Sequence, residues 1–306
     1  MTARRLLITG ATGSTGRNAA ETLIKQGFAV RALVHGEDAR SAHLRVLGAE
    51  VVVADLLSLD DVRHALEGVE AAYFVYPIAP RLIEATVYFA QAAREAEVGS
   101  IVNMSQISAR RDSKSQAARD HWVAERLLDR SGIPVTHLRP TFFAQNFLHP
   151  TLLGAIARRA VISFPFGHGR HAPIAAEDQA RMIAAILADP GPHQGKTYSL
   201  QGPREMDYFE LAAALSKALG KTIHYQPVDI DAWREQAKLP PFLVQHLCGV
   251  APGYREGLFG GTDTIIEKVT GKAPMTFEDY LLLSQDALAA ARTNLHREII
   301  PMEQHA

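Results

Sequence analysis

Apolar residues recur along the first half of the chain in two alternating rhythms. Short, nearly continuous apolar runs end at Leu6-Leu7-Ile8, Phe28 to Val34, Glu50 to Ala54, Ala71 to Val75, Ser100 to Met104 and Val135 to Arg139, and these predict strands buried on both faces. Between them lie stretches with apolar residues at helical spacing. Arg17 to Gln26, with Ala19, Ala20, Leu23 and Ile24 on one face, is the first, followed by Ala39 to Leu47, Leu59 to Leu66, Leu82 to Ala96 and Gln116 to Ser131. Strands that alternate with helices in this way predict a parallel α/β sheet, doubly wound, with helices on both faces.

The alternation fades beyond Asn146. Thr151 to Arg159 reads as a helix, Val161 to Phe166 as a short apolar piece, Glu177 to Ala188 as an amphipathic helix and Thr197 to Leu200 as a strand. Asp207 caps a helix, Tyr208 to Ala218, closed by Gly220. Ile223 to Gln226 and the region of Trp233 complete a compact unit. Leu239 to Val244 and Pro252 to Tyr254 read as an irregular, aromatic-containing stretch that lines a pocket, acts as a lid or packs under a loop. Thr276-Phe277-Glu278-Asp279 starts a last helix, Tyr280 to Arg292, before a short polar tail. The expected organisation is a dinucleotide-binding domain over 1–150 and a smaller α+β substrate domain over 151–306, with about 172–190 returning to the first.

The dinucleotide reading comes from the turn after the first strand, Thr9-Gly10-Ala11-Thr12-Gly13-Ser14-Thr15-Gly16. Gly10 suits a tight turn, Gly13 lets the backbone approach phosphates, and Gly16 lets the following helix pack closely. Unpaired N–H groups at that helix's start then face the pyrophosphate. In a sheet of this type the ligand lies beyond the carboxyl ends of the strands. That rule selects Thr12, Ser14 and Thr15 with the glycines, then His35, Asp55-Leu56, Tyr76-Pro77, Ser105 and Pro140 to Phe143. An NAD site usually places a carboxylate after the second strand, where this chain has Val34-His35-Gly36. With His35 and Arg40 within reach of a 2′-phosphate, NADP(H) is expected over NAD(H).

Composition narrows the partners. The net charge of −1 carries no basic excess for nucleic acid, and no run of eighteen apolar residues supplies a membrane span. Cys248 is the only cysteine, which excludes an internal disulfide and a cysteine-held metal and points to a reduced, cytoplasmic setting. His168 and His171 lie between glycines with no carboxylate or thiol beside them, so no metal site is expected.

Three stretches resemble the NmrA-like group of atypical short-chain dehydrogenases/reductases: Ile8 to Gly16, Val30 to Val34, and His137-Leu138-Arg139-Pro140-Thr141-Phe142-Phe143-Ala144-Gln145-Asn146. Ala176 to Ala180 and Gly195 to Pro203 agree. The resemblance implies a Rossmann domain with a smaller substrate domain, and a group that holds quinone and triphenylmethane-dye reductases alongside redox-sensing regulators without turnover. It also implies adenine against Asp55-Leu56, nicotinamide near Tyr76-Pro77 and Pro140, and a substrate pocket at Phe142, Phe143 and Asn146.

Many short-chain dehydrogenases protonate a carbonyl through a Tyr-x-x-x-Lys pair on the helix after the fifth strand. If Glu125 is aligned with the acidic residue that commonly follows that pair, the two positions are Ala117 and His121. The dyad is absent. Reduction of an ordinary ketone needs a positioned proton donor, whose contribution is about 10²–10⁴-fold. Quinones, cationic dyes and conjugated acceptors spread the incoming charge, so the expected acceptor is a small activated molecule. His121, with an ordinary pKa of about 6.5, is a candidate proton donor, and Ser105 a candidate orienting hydroxyl. The alternative is a non-catalytic NAD(P)-sensing regulator that binds a protein partner. The sequence leaves the oligomeric state open, a homodimer included.

Overall fold

The computed structural model describes residues 4–291, so Arg292 and the polar tail lie outside the described residues. The first half runs β1 (Arg5–Ile8), α1 (Ser14–Lys25), β2 (Ala29–Val34), α2 (Ala39–Val46), β3 (Glu50–Val53), α3 (Leu59–Leu66), β4 (Ala71–Phe74), α4 (Leu82–Glu95), β5 (Ser100–Met104), α5 (Gln116–Asp129) and β6 (Val135–Pro140). The second half runs α6 (Gln145–Leu148), α7 (Pro150–Arg159), β7 (Val161–Phe164), α8 (Ala176–Ala188), β8 (Thr197–Leu200), α9 (Tyr208–Leu219), β9 (His224–Pro227), α10 (Ile230–Gln236), α11 (Pro241–Arg255), α12 (Ile265–Thr270) and α13 (Phe277–Leu283).

Seven strands form one parallel sheet in the order β3-β2-β1-β4-β5-β6-β8. Apolar residues alternate between its two faces. Leu6, Ile8, Val30 and Ala32 point to the face covered by α1 and α8, while Leu7, Leu33, Ala72 and Phe74 point to the face covered by α3, α4 and α5. Burial on both faces is why these strands read as unbroken apolar runs. The strand order reverses between β1 and β4. Thr9 pins that junction, its Oγ1 accepting from the N–H of Val75 at 2.9 Å.

The return from the second half is broader than 172–190. Besides α8, which lies along α1, the sheet takes β8 as its edge strand, and Ile266 of α12 enters the same core. The remaining elements build a separate core around Phe147, Phe164, Phe166, Tyr208 and Tyr254 beside the two-stranded sheet of β7 and β9.

Three local expectations are corrected. The first helix begins at Ser14 rather than Arg17, because Gly13 serves as its N-cap. The stretch expected to be irregular around Pro241 to Tyr254 is the helix α11: Pro241 occupies its first turn, where no N–H is needed, and Pro252 lies within its last turn. Thr276 does start a helix, its hydroxyl accepting from Asp279 N–H, but α13 ends at Leu283 and helical structure resumes over 285–291.

Candidate functional site

The glycine turn is built by close approaches that only a missing side chain permits. Gly10 has φ +58°, and a Cβ on it would lie 2.8 Å from Val75 Cγ1. A Cβ on Gly13 would lie 3.2 Å from the Gly10 carbonyl oxygen, and one on Gly16 only 2.4 Å from it. Gly16 therefore seats α1 on the turn itself. The start of α1 has no side-chain cap and no acidic residue in its first turn. Gly10, Gly13 and Ser14 are exposed, with Thr12 and Thr15 half-buried, so the N–H groups there open outward. Unsatisfied donors with a partial positive charge fit a pyrophosphate.

At the end of β2, His35 is exposed. Arg31 points to the far face, donating to the carbonyls of Ala65 and Glu67 and pairing with Glu50. Arg40 instead reaches the glycine turn: its Nη1 lies 3.4 Å from the Thr12 carbonyl oxygen, and its guanidinium pairs with Asp38 at 2.6 Å. Asp38 also caps α2. Asp55 is exposed, its Oδ1 accepting from Leu57 N–H at 2.9 Å, which makes it a turn-forming residue at the end of β3. Leu56 and Tyr76 pack on the core below, the Tyr76 hydroxyl donates to the Pro80 carbonyl, and Pro77 is exposed.

At β5 and β6, Ser105 N–H donates to the Leu138 carbonyl and Ile107 N–H to that of Pro140, so pairing continues past the strand ends. Ser105 Oγ and Thr141 Oγ1 are buried with no partner among the described residues. Polar atoms orphaned at the mouth of a sheet fit a polar ligand. Phe142 and Phe143 diverge, Phe142 packing on the C-terminal core and Phe143 on the α1–α8 core. Asn146 is exposed and lines a cavity of about 510 Å³ with Ser14, Gln145, His149, Tyr280 and Asp286. Thus α13 and the residues after it face the start of α1 across this cavity. The cap at Thr276 announces this helix in the sequence, yet no local signal says where it docks.

Ala117 and His121 are both buried on α5. The C-terminal helix α11 covers this wall: Gly249 packs so tightly that a Cβ would lie 2.6 Å from Ser115 Cα, and Ser115 Oγ is 2.8 Å from His246 Nδ1. Burial, and secondarily His246, pull the His121 pKa down to about 4, against a smaller opposing effect of Glu125. The expectation of a partly charged His121 near neutral pH is therefore corrected, since its imidazole is neutral there. Glu125 is fully buried and receives a two-pronged contact from Arg139, at 2.8 and 2.5 Å. This pair fixes α5 to β6. The region expected to be a lid or loop filler is thus a packed helix.

His168 is exposed and stacks on Phe209, whereas His171 is completely buried among aromatic rings. No group of three metal-ligating side chains occurs among the described residues. None of the described helices is long and apolar enough to cross a membrane.

A seven-stranded parallel sheet with an open glycine turn at its reversal point defines a Rossmann-type dinucleotide-binding protein. The chain belongs to the NmrA-like family, whose model matches residues 2–281. It is 30% identical to an NAD(P)H azoreductase of Xenophilus azovorans, over 94% of this chain and 100% of that one. Quinone oxidoreductase 2 of Escherichia coli is 29% identical over 90% of this chain and 96% of its own. The structure of the NADPH-dependent quinone oxidoreductase of Escherichia coli with NADPH superposes with a TM-score of 0.82, at 27% identity, covering 91% of this chain and 99% of the other.

Proposed function

We propose that the protein is an NAD(P)H-dependent reductase of small, planar, activated acceptors of the quinone or dye class, with NADP(H) preferred. The carrying observation is a pair of helices that follow strand ends: an uncapped α1 start after β1, and α5 after β5, where Ala117 and a buried, neutral His121 stand in place of a Tyr–Lys dyad. The azoreductase and quinone oxidoreductase relatives support the same acceptor class.

Gly10 to Gly16 would hold the pyrophosphate, Arg40 with His35 the 2′-phosphate, Asp55 and Leu56 the adenine, and Tyr76, Pro77 and Pro140 the nicotinamide. The bound dinucleotide supplies a hydride. Phe142, Phe143 and Asn146 flank the acceptor, and Ser105 offers it a buried hydroxyl. His121 acts here as a neutral positioning group. An acceptor that delocalises the arriving charge needs no strong acid from the protein, which is why the loss of the dyad is compatible with turnover. The cytoplasm, where reduced dinucleotide is regenerated, is the compartment this chemistry calls for. The test is NADPH oxidation against a panel of quinones and dyes, and tight dinucleotide binding with no turnover would favour a sensor instead.

A further inference from the structure

His171 has no part in the reaction above, yet its surroundings are unusual. Its side chain is completely buried, and neither ring nitrogen has a hydrogen-bond partner among the described residues. Its ring centroid lies 5.3 Å from that of Tyr208, 5.5 Å from Tyr254 and 5.6 Å from Phe142. The Tyr208 and Tyr254 hydroxyls are buried as well, and they interact with each other but hydrogen-bond to no other side chain among the described residues. An unpaired buried polar group costs about 1–3 kcal/mol, and such groups are rare in native proteins. Two bare ring nitrogens beside two hydroxyls that have only each other call for a polar partner that the described chain does not supply.

The cluster is held at the catalytic end of the sheet. Ile174 N–H donates to the Phe142 carbonyl at 3.1 Å, and Phe143 and Ile174 form a bridge, so the segment carrying His171 runs beside the continuation of β6. Gly202, just after β8, clamps this segment: a Cβ there would lie 2.1 Å from the Pro173 carbonyl oxygen. A Cβ on Gly169 would lie 2.6 Å from the Tyr254 carbonyl oxygen, which fixes the approach to Tyr254. Phe142 therefore has Pro140 and Thr141 on one side and the His171 cluster on the other.

We propose that His171, Tyr208 and Tyr254 form an oxyanion-stabilising pocket for a carbonyl oxygen of the acceptor, entered past the ring of Phe142. This rests on the reductase reading and names the part of the acceptor the protein selects. Hydride adds to one carbonyl oxygen of the quinone as a new O–H bond; the C=O π electrons move into the ring, which becomes aromatic, and negative charge collects on the opposite oxygen. The phenol O–H groups and the imidazole N–H donate to that oxygen, and a proton from water then completes the hydroquinone. Burial holds the imidazole neutral, with its pKa down at about 3, so one ring nitrogen carries a hydrogen to donate. Donors placed in a dry site are worth more than in water, because they are already oriented when the charge appears. Entry requires the half-buried Phe142 ring to move to another rotamer.

The proposal separates two acceptor chemistries. A cationic triphenylmethane dye takes hydride at carbon and becomes neutral, leaving no oxyanion. The full chain and its Tyr254→Phe and His171→Phe variants are compared for kcat with a benzoquinone and with such a dye, using NADPH. Each variant keeps an aromatic side chain and removes a buried polar group that has no partner outside the cluster, so its melting temperature should hold or rise. The ratio of quinone to dye turnover should fall about a hundredfold, the scale of one lost oxyanion donor. A second readout is independent of turnover: the absorption band of 4-nitrophenolate should shift on binding to the wild type and not to Tyr254→Phe. An unchanged turnover ratio in folded variants, or a nitrophenolate band that does not shift with the wild type, overturns the pocket. Failure of the wild type to reduce any acceptor removes the reductase reading, and the nitrophenolate shift then decides the pocket by itself.

Discussion

The carbonyl oxygen of Gly10 lies only 2.4 Å from where a Cβ on Gly16 would stand. The neighbour is backbone, so it cannot swing aside as a flexible side chain would. Gly16→Ala must therefore push the start of α1 off the turn, at a cost of about 1–3 kcal/mol. The expected outcome is a lower melting temperature and at least a tenfold weaker NADPH affinity by fluorescence titration. A variant that binds as well as the wild type contradicts the assignment of this turn.

Arg40 is the cation at the end of β2 that touches the glycine turn, and Asp38 holds it through contacts of 2.6 and 2.9 Å. A 2′-phosphate would compete with Asp38 for that guanidinium. Arg40→Ala should raise the Kd for NADPH about tenfold or more and leave NADH nearly unchanged, since a charge-assisted contact contributes about 1.5–3 kcal/mol. Asp38→Asn keeps a side-chain oxygen to cap α2 and should shift preference further toward NADPH. Equal changes for both dinucleotides would count against this role.

Glu125 and Arg139 join α5, the helix of Ala117 and His121, to the sheet through a carboxylate that has no solvent exposure. Removing one partner leaves the other charge buried or half-buried without compensation. Glu125→Ala should lose about 3–5 kcal/mol of stability in urea unfolding, far more than a surface pair would. A loss below about 1 kcal/mol would show that the pair is not the tie described.

The doubly wound sheet was legible in the sequence because its inner strands are short and largely apolar on both faces, and Gly10 to Gly16 marked the turn that opens at their carboxyl ends. His35 and Arg31 illustrate the limit of that reading. Both lie near the end of the second strand, and only the fold shows Arg31 turned to Glu50 and Arg40 turned to Thr12. The helix α11 was missed because Pro241 and Pro252 read as breakers, although a proline in a first turn costs no hydrogen bond. His121 was located, but its ionisation was not legible: the burial that sets it comes from α11, more than a hundred residues away in sequence. The cavity that α13 and the glycine turn line together, and the gathering of His171 with Tyr208 and Tyr254, are likewise products of long-range packing.

Acid should destabilise the protein in a defined window. Burial lowers the pKa of His121 to about 4, of His171 to about 3 and of His246 to about 4. In the unfolded chain each histidine titrates near its ordinary value of about 6.5. Between these limits the unfolded state binds more protons, so stability is fully present above about 6.5 and falls as pH drops toward 4. Each histidine contributes a slope of up to about 1.4 kcal/mol per pH unit inside the window. Melting temperatures from neutral pH down to about 5 should decline steadily, and His171→Phe should flatten the decline. A melting temperature independent of pH over that range contradicts the buried, neutral state of these side chains.

A dinucleotide-dependent reductase that works without a Tyr–Lys dyad should show itself in steady-state NADPH oxidation with quinones, cationic dyes and unactivated ketones as acceptors. The expected result is continuous turnover with quinones or dyes, none with unactivated ketones, and no loss of activity through the range where a histidine of ordinary pKa would titrate. Tight NADPH binding with no oxidation across the whole panel, or efficient reduction of simple ketones, would contradict it.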